Sequence, residues 1–270
     1  MSENPKISVL MPAYNAEKYI GEAIESILNQ TFKDFEFIVI DDCSTDKTWE
    51  IIQKYAANDL RIRFFKNEKN LKLSLTLNKG IDLCRSQYVA RMDADDFSYP
   101  DRLEKQYNFM ENNPEVGISG GSMNVCDQFL NVRSVRNYNL TDEEIRKHIF
   151  RYSPFCHPLV IIRKAVFDKV GKYDTNFNPA EDYELYFRIG VLYKFGNLKD
   201  TLLKYRTVEK SMTTGSTKKM ELETIRIRNQ YANGYHMSLA DKVYTMFQYF
   251  SIFIIPAWVK IRIFSFLRDK

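Results

Sequence analysis

The segment MDADDFSY, residues 92–99, places Asp93, Asp95 and Asp96 within four positions of one another. Carboxylates this close repel one another unless water, a basic partner or a metal ion takes up their charge. A solvated turn is the simplest interpretation, because Asp is common in turns. A site for a divalent cation is the alternative, because hard cations prefer carboxylate oxygens. The elements that surround the segment must decide between the two.

The first hundred residues alternate between apolar runs typical of strands and segments with helical spacing. Strands are predicted at 7–11, 35–40, 62–65 and 87–92, and helices after Asn15, over about 45–57 and over 73–84. Asn15 is the predicted N-cap of the first helix. The strand starts recur about every 25–28 residues, which is typical of βαβ units in a largely parallel sheet.

Beyond residue 100 the order of the elements changes. Helices are predicted from Pro100 to about Asn112, after a capping box of Thr141 and Glu144, and from Asn178 to Tyr193. Strands are predicted at 116–127 and 130–138, as a hairpin, and at 159–162 and 201–207. No linker interrupts the chain before about residue 238, so we predict one α/β unit over 1–237 and a separate segment over 238–270.

Polar residues follow three of the predicted strands, at ends that a parallel sheet brings to one edge. They are Pro12-Ala13-Tyr14-Asn15, Asp41-Asp42 and Asp93-Ala94-Asp95-Asp96. Ligands of open parallel sheets bind beyond these carboxyl ends. The convergence of polar groups at one edge favours a binding site over three independent turns.

The site lacks the two sequence motifs that most often hold phosphates. G-x-G-x-x-G is absent after the first strand and no Walker A loop is present, which argues against dinucleotide and ATP chemistry. Without a glycine-rich loop, a bound diphosphate needs another source of positive charge. A divalent metal, Mn²⁺ or Mg²⁺, held by Asp93 and Asp95 would bridge to phosphate oxygens. We therefore predict a metal and a diphosphate at this loop.

Three segments carry a family resemblance, at 6–46, 91–103 and 180–189. They read KISVLMPAYNAEKYIGEAIESILNQTFKDFEFIVIDDCSTD, RMDADDFSYPDRL and AEDYELYFRI. In this order they resemble inverting family-two glycosyltransferases with the GT-A fold, over about residues 5–210. The resemblance implies an α/β fold with a Rossmann-like, largely parallel central sheet flanked by helices. It also implies a nucleotide-sugar-binding part over 1–127 and an acceptor part over 128–237.

The resemblance implies roles for the residues at the strand ends. A nucleoside diphosphate sugar, usually of UDP, would lie across them. Pro12, Tyr14 and Asp42 match positions that contact the base and ribose, and Asp93 and Asp95 match the D-x-D motif that meets ribose and metal. The predicted donor site comprises Pro12, Ala13, Tyr14, Asn15, Glu17, Asp42, Asp93, Ala94, Asp95 and His157, the last near the donor or the acceptor.

Sugar transfer also requires a group that takes the proton of the acceptor hydroxyl as it attacks. Glu181 and Asp182 both lie near the start of a predicted helix, where the helix dipole favours acids. With Asn178 as N-cap and Pro179 as the first helical residue, Glu181 falls at the N3 position of a capping box. Asp182 has no such structural role and matches the family's catalytic base. We predict Asp182 as the base and Glu181 as the second candidate.

The chain departs from the family pattern on the donor side of the site. Cys43 stands where the family often has Gly or another small residue, and Lys72 stands where N-x-G is frequent. Val208 replaces the His of a Y-R-x-H pattern and offers no ligand atom to a metal. Glu209 either compensates for this loss or faces water.

The C-terminal segment differs in composition from the rest of the chain. Residues 240–270 hold five Lys or Arg and two Asp, together with eight aromatic residues. The apolar run from Met246 to Trp258 is shorter than the roughly 20 residues that span a bilayer. We predict that 238–270 is an amphipathic, membrane-associating segment whose basic groups meet anionic lipid. A helix packed on the rest of the chain, or a dimer contact, is the alternative.

Together these features predict a metal-dependent enzyme that transfers a sugar from a nucleoside diphosphate sugar to an acceptor hydroxyl with inversion. Widely spaced cysteines and a polar N-terminus predict a cytoplasmic protein. We place it peripherally on the cytoplasmic face of the inner membrane, in the assembly of a surface polysaccharide or lipid-linked glycan. The net charge of +4 is too small to indicate nucleic acid. A nucleotidyltransferase and a non-catalytic sugar-nucleotide-binding protein are the alternatives.

Overall fold

The computed structural model describes residues 4–207, 217–256 and 259–260. In its first part, strands and helices alternate as β1 (Ile7–Ala13), α1 (Ile20–Leu28), β2 (Phe35–Asp41), α2 (Thr48–Ala56), β3 (Ile62–Lys66), α3 (Leu73–Leu83) and β4 (Tyr88–Arg91). The four strands are parallel and lie in the order β3-β2-β1-β4. The predicted alternation of strands and helices is confirmed.

The second part extends the same sheet. Its elements are β5 (Phe97–Ser98), α4 (Arg102–Asn112), β6 (Val116–Cys126), β7 (Val132–Arg136), α5 (Asp142–His148), β8 (Ile161–Arg163), α6 (Lys164–Val170), α7 (Glu181–Leu192) and β9 (Lys194–Arg206). The order continues as β4-β8-β6-β9-β5, with β8 antiparallel to both its neighbours and β6 parallel to β9. The predicted hairpin is present as the antiparallel pair β6–β7, and the predicted capping box opens α5.

The sheet has an apolar layer on each face, which explains the unbroken apolar runs of β1 and β2. Alternate residues of β1 point to opposite layers, because side chains alternate along a strand. Val9 belongs to the layer that includes residues of α1, α2 and α4. Leu10 belongs to the layer that includes residues of α3, α5 and α7. An α/β fold with a mostly parallel central sheet flanked by helices is therefore the observed class, as predicted.

Asn15 is not the N-cap of the first helix, contrary to the prediction. Helix α1 begins five residues later, with Tyr19 at the N-cap position and no side-chain hydrogen bond to the helix end. Asn15 instead adopts a φ of 50°, and its Oδ1 accepts a hydrogen bond from the backbone N–H of Thr45 at 2.9 Å. The side chain therefore joins the loop after β1 to the loop after β2. This long-range hydrogen bond is formed in place of the predicted helix cap.

Two helices lie within the described range 217–256, after β9. Helix α8 (Thr217–Tyr231) packs against α7, and α9 (Leu239–Ile254) packs against α8. The Oγ of Ser238 caps α9 by accepting a hydrogen bond from the N–H of Asp241 at 3.1 Å. The predicted C-terminal helix is thus present, whereas residues 257–258 and 261–270 of that segment lie outside the described part. Among the described residues, we find no helix with the length and apolar character needed to cross a membrane.

Candidate active site

The strand register brings the three polar strand ends to one edge of the sheet. Ala13 of β1 pairs with Asp41 of β2, and the N–H of Asp42 donates to the carbonyl of Ala13 at 2.8 Å. On the other side of β1, the N–H of Met92 donates to the carbonyl of Leu10 at 3.0 Å. The segments that begin at residues 12, 41 and 93 are therefore neighbours, as a parallel sheet requires.

The three aspartates that follow β4 form a cluster. One carboxylate oxygen from each of Asp93, Asp95 and Asp96 lies within 4.8 Å of the others, a separation at which they could hold one cation. Burial, and after it the charge of Asp93, raises the pKa of Asp95 to about 6. The same causes raise the pKa of Asp96 well above its usual value. A bound cation would stabilise the charged form of each carboxylate.

Asp96 supports the fit of a cation to this cluster. Its Oδ1 accepts a hydrogen bond from the backbone N–H of Arg206 at 2.8 Å. Its Oδ2 is buried and has no hydrogen-bond partner within the described ranges. A buried oxygen without a donor is costly, and a hard cation would satisfy it. The all-oxygen donor set therefore fits Mn²⁺ or Mg²⁺.

Arg91 connects the cluster to the opposite side of the site. Its guanidinium, buried at the end of β4, binds Asp93 through both oxygens at 2.6 and 2.8 Å. The same positive charge contributes to lowering the pKa of His157, after burial. It also opposes the rise that burial causes in the pKa of Asp182. The acid cluster and Asp182 therefore lie within electrostatic reach of one guanidinium.

Arg206, at the end of β9, forms hydrogen bonds with the loop that carries the aspartate cluster. Its Nε donates to the carbonyl of Asp95 at 2.6 Å, and its Nη1 donates to the carbonyl of Gln128. Its Nη2 forms a salt bridge with Glu22 at 2.5 Å, and the guanidinium lies 4.4 Å from the ring centroid of Tyr19. This role of Arg206 could not be predicted from the sequence, because its partners are up to 184 positions away along the chain. The local signal was the pair Tyr205-Arg206, which begins the Y-R-x-H pattern noted in the sequence. The predicted departures at Val208 and Glu209 lie outside the described residues.

Asp42 shapes the loop that follows β3. Its Oδ1 accepts hydrogen bonds from Asn67 Nδ2 at 2.7 Å and from the N–H of Leu71 at 2.8 Å, and its Oδ2 accepts one from the N–H of Lys72 at 2.9 Å. The carboxylate is buried. Asp42 therefore fixes residues 67–72 beside the strand ends.

The positions of Cys43 and Lys72 explain why glycine would be expected there. Both residues have a positive φ, 62° at Cys43 and 70° at Lys72. Lys72 combines this φ with a ψ of 169°, a region that is almost exclusive to glycine. At both departures from the family pattern, a residue other than glycine therefore adopts a strained backbone conformation beside the predicted nucleotide site.

The other predicted donor residues surround this edge. Pro12 and Ala13 are buried at the end of β1, and the ring of Tyr14 is half exposed beside them. The Oε2 of Glu17 accepts a hydrogen bond from the N–H of Lys47 at 3.0 Å. Ala94 is buried within the aspartate cluster. Their contacts with a donor stay a prediction.

Asp182 and His157 are brought together, as the sequence predicted for one site. Oδ2 of Asp182 lies 3.9 Å from Nδ1 of His157, and Nε2 of that ring lies 2.9 Å from the hydroxyl of Tyr173. Burial raises the pKa of Asp182. A carboxylate with a raised pKa is a stronger base, which suits general-base chemistry.

The predicted capping role of Glu181 is wrong. Helix α7 begins at Glu181 itself, with Ala180 at the N-cap position, so Glu181 is not at N3. Its Oε2 is buried without a hydrogen-bond partner among the described residues. Burial, and after it the charge of Asp182, raises its pKa to about 7. Accessibility distinguishes the two acids instead, because Glu181 is 5% exposed and the side chain of Asp182 is 24% exposed.

Comparison with known proteins agrees with this architecture. Residues 8–171 match the model of glycosyl transferase family 2. An uncharacterized glycosyltransferase of Methanocaldococcus jannaschii is 33% identical over 280 residues, which covers 99% of this chain and 95% of that protein. The O-antigen biosynthesis glycosyltransferase WbnJ of Escherichia coli is 36% identical over 213 residues, which covers 76% of this chain and 81% of that protein.

Among solved structures, S. aureus TarS 1–349 in complex with UDP-GlcNAc shares the fold. The TM-score is 0.70 at 23% sequence identity, over 84% of this chain and 67% of that chain. The predicted GT-A fold is confirmed. The family match covers more than half of the chain, so this protein belongs to glycosyl transferase family 2.

Proposed function

We propose that the chain transfers a sugar from a UDP-sugar to an acceptor hydroxyl, with inversion at the transferred carbon. The observation that carries the proposal is that the guanidinium of Arg91 binds Asp93 of the aspartate cluster and also acts electrostatically on Asp182. A base for the acceptor and a set of cation ligands for the diphosphate are the two components that sugar transfer needs.

The donor is proposed to lie across the strand ends of residues 1–127. TarS, which shares the fold, binds UDP-GlcNAc, and this supports a uridine nucleotide here. Tyr14, with its half-exposed ring, is proposed to contact the nucleoside, together with the loop that Asp42 fixes. Residues 128–237 are proposed to contribute the acceptor side.

Asp93 and Asp95 are proposed to hold the divalent metal. When bound, Mn²⁺ or Mg²⁺ would neutralise the charge of the leaving diphosphate. Because both oxygens of Asp93 already bind Arg91, Asp95 is the carboxylate more available to the cation, and Asp96 lies within reach of the same position. The guanidinium of Arg91 orients the carboxylate of Asp93, and the backbone N–H of Arg206 orients that of Asp96.

Asp182 is proposed to act as the general base, with Glu181 as the second candidate. The carboxylate takes the acceptor's hydroxyl proton while the acceptor oxygen forms a bond to the anomeric carbon. The bond from that carbon to the diphosphate oxygen breaks on the opposite face, and UDP leaves with the bonding electrons. Displacement in line inverts the anomeric configuration. His157, beside Asp182, is proposed to line the same part of the site.

The acceptor is proposed to be a growing surface polysaccharide or a lipid-linked glycan. The support is the relative WbnJ, which is named for O-antigen biosynthesis. We propose that the reaction takes place at the cytoplasmic face of the inner membrane, where an acceptor of this kind would be held.

A panel of nucleotide sugars tests the proposal directly, because a ligand that binds the native state raises its apparent stability. We expect a UDP-sugar to raise the melting temperature in the presence of Mn²⁺ and much less in the presence of a chelator. UDP should then be released from that donor. Release of pyrophosphate from UTP and a sugar 1-phosphate, in a parallel assay, would indicate a nucleotidyltransferase. Stabilisation by a UDP-sugar without any turnover would indicate a binding protein.

A further inference from the structure

Helix α9 carries a continuous apolar face that no described residue covers. Leu239, Phe247 and Ile254 are 78%, 67% and 77% exposed. The exposed apolar side chains of the face are Leu239, Val243, Met246, Phe247, Phe250, Phe253 and Ile254. They recur at intervals of three and four residues, which places them along one side of the helix. We call these seven residues the α9 face.

The opposite side of α9 is anchored, so the α9 face has a fixed orientation. Asp241 is buried and forms a salt bridge with Arg151 at 2.8 Å. Gln248 accepts a hydrogen bond from Arg228 of α8 at 2.5 Å, and Thr245 is buried between them in sequence. The polar side of α9 therefore packs against the rest of the protein, and its apolar side faces away from it.

The charges around the α9 face are positive. Lys218, Lys219 and Lys242 are exposed on α8 and α9, and Nζ of Lys218 lies 5.0 Å from the ring centroid of Phe253. By contrast, each acid of the two helices is in a salt bridge, Glu221 with Lys260, Glu223 with Arg226 and Asp241 with Arg151. The sequence of residues 261–270 adds three basic residues and one acid, Asp269, among mostly apolar residues.

Helix α8 connects this face to the catalytic helix. Nε of Arg228 donates to the hydroxyl of Tyr183 at 3.2 Å, and Tyr183 directly follows Asp182 in α7. The same arginine binds Gln248 of α9. The α9 face is thus carried by a helix pair that packs on the element bearing the proposed base.

We propose that the α9 face binds the surface of a bilayer that contains anionic lipid. Aromatic and aliphatic side chains would enter the boundary between headgroups and acyl chains, and the lysines would meet lipid phosphates. A second copy of this chain is a poorer occupant, because a symmetric contact would bring the lysines of both copies together. Binding to lipid does not depend on the proposed function. The purpose that we assign to lipid binding, which is to bring the base close to a lipid-linked acceptor, does rest on the proposed function.

Vesicle flotation of the full chain tests the surface. Vesicles of phosphatidylcholine with phosphatidylglycerol should carry the protein at low salt, and vesicles of phosphatidylcholine alone should carry much less. The double variant Phe247→Asp/Phe250→Asp should lower the partition coefficient by about tenfold or more, because it removes two large apolar groups from the membrane boundary. The matched control Leu60→Asp replaces a side chain that is 82% exposed outside α9 and should float like the wild type.

Three outcomes would overturn the inference. They are failure of the wild type to float at low salt, unchanged flotation of the double variant, and a dimer in light scattering that the double variant abolishes. An unchanged thermal unfolding transition verifies that the double variant is folded. If the chain floats as expected but releases no UDP from any UDP-sugar, the proposed function fails while the lipid surface stands.

Discussion

Nδ1 of His157 lies 3.9 Å from Oδ2 of Asp182, at the start of the helix that carries the proposed base. Burial lowers the pKa of His157 well below its usual value, and the positive charge of Arg91 adds to this. The imidazole is therefore neutral at about pH 7. A neutral ring stabilises the charged carboxylate less than an imidazolium would, so Asp182 keeps its basicity.

Replacing Asp182 with Asn should lower kcat by roughly 10²–10⁴-fold and leave the affinity for UDP unchanged. Asn has nearly the same size and shape but cannot accept a proton at neutral pH. Kinetics of UDP release, with calorimetric titration of UDP, separate the two effects. Near-normal turnover in this variant, together with loss of turnover in Glu181→Gln, would assign the base to Glu181.

Replacing Asp95 with Ala should abolish metal-dependent binding of UDP while the fold stays intact. The side chain follows β4 in a loop, and its pKa of about 6 reflects a charge that burial disfavours and a cation would stabilise. Calorimetric titration with UDP and Mn²⁺ measures the effect. Asp168→Ala, which removes an exposed acid of α6, is the matched control. Equal affinities in Asp95→Ala and the wild type would remove Asp95 from the metal site.

Replacing Glu181 with Gln should stabilise the protein above about pH 7. Burial raises the pKa of Glu181 from 4.5 to about 7. Between these values the folded protein holds a proton that the unfolded chain has released, so the free energy of unfolding falls as pH rises. Gln removes this contribution and should add about 2–3 kcal/mol once the wild-type carboxylate is charged in the folded state.

Urea unfolding of the metal-free protein across this pH range measures the contribution of Glu181. Glu115→Gln, at an exposed position, should keep the pH dependence of the wild type. A variant Glu181→Gln that is less stable than the wild type, or that retains the full pH dependence, would show that Glu181 is already well satisfied as a charged group.

Replacing Lys72 with Gly should raise the free energy of unfolding by about 1 kcal/mol. Its backbone occupies a region that costs non-glycine residues about 1–3 kcal/mol, and the added entropy of glycine in the unfolded chain offsets part of the gain. Lys69→Gly is the matched control, at an exposed position with a negative φ, and should destabilise by up to about 1 kcal/mol. Equal effects of both substitutions, measured in urea, would contradict the strain at Lys72.

Local patterns were enough to predict every strand except β5, most helices and the edge at which polar residues meet. The runs of β1 and β2 are buried on both faces, so their apolar character is visible in the sequence. The carboxyl ends of parallel strands then lie at one edge whatever the side chains do. This is why Asp42 and the aspartates after β4 could be placed together without a structure.

Contacts between distant segments could not be predicted in the same way. Arg206 reaches Asp95 and Glu22 because β9 pairs with β5 in the sheet. These two strands are far apart in the sequence, so no local pattern predicts their pairing. The start of α7 was misplaced for a related reason. Asn178 and Pro179 are residue types that often begin a helix. Here they follow a 3₁₀ turn over Thr175–Phe177, and α7 begins only at Glu181.

The anomeric configuration of the sugar first released from the donor tests the central claim most directly. With Mg²⁺ and an α-linked UDP-sugar selected by thermal stabilisation, transfer to water by enzyme at the same concentration as the donor should release UDP. Proton NMR during this first turnover should show an excess of the β-anomer before the sugar equilibrates. Asp182→Asn should suppress that signal, because the water then lacks its base. Release of the α-anomer, or a β-anomer signal that is as strong in Asp182→Asn as in the wild type, would contradict in-line displacement with Asp182 as the base.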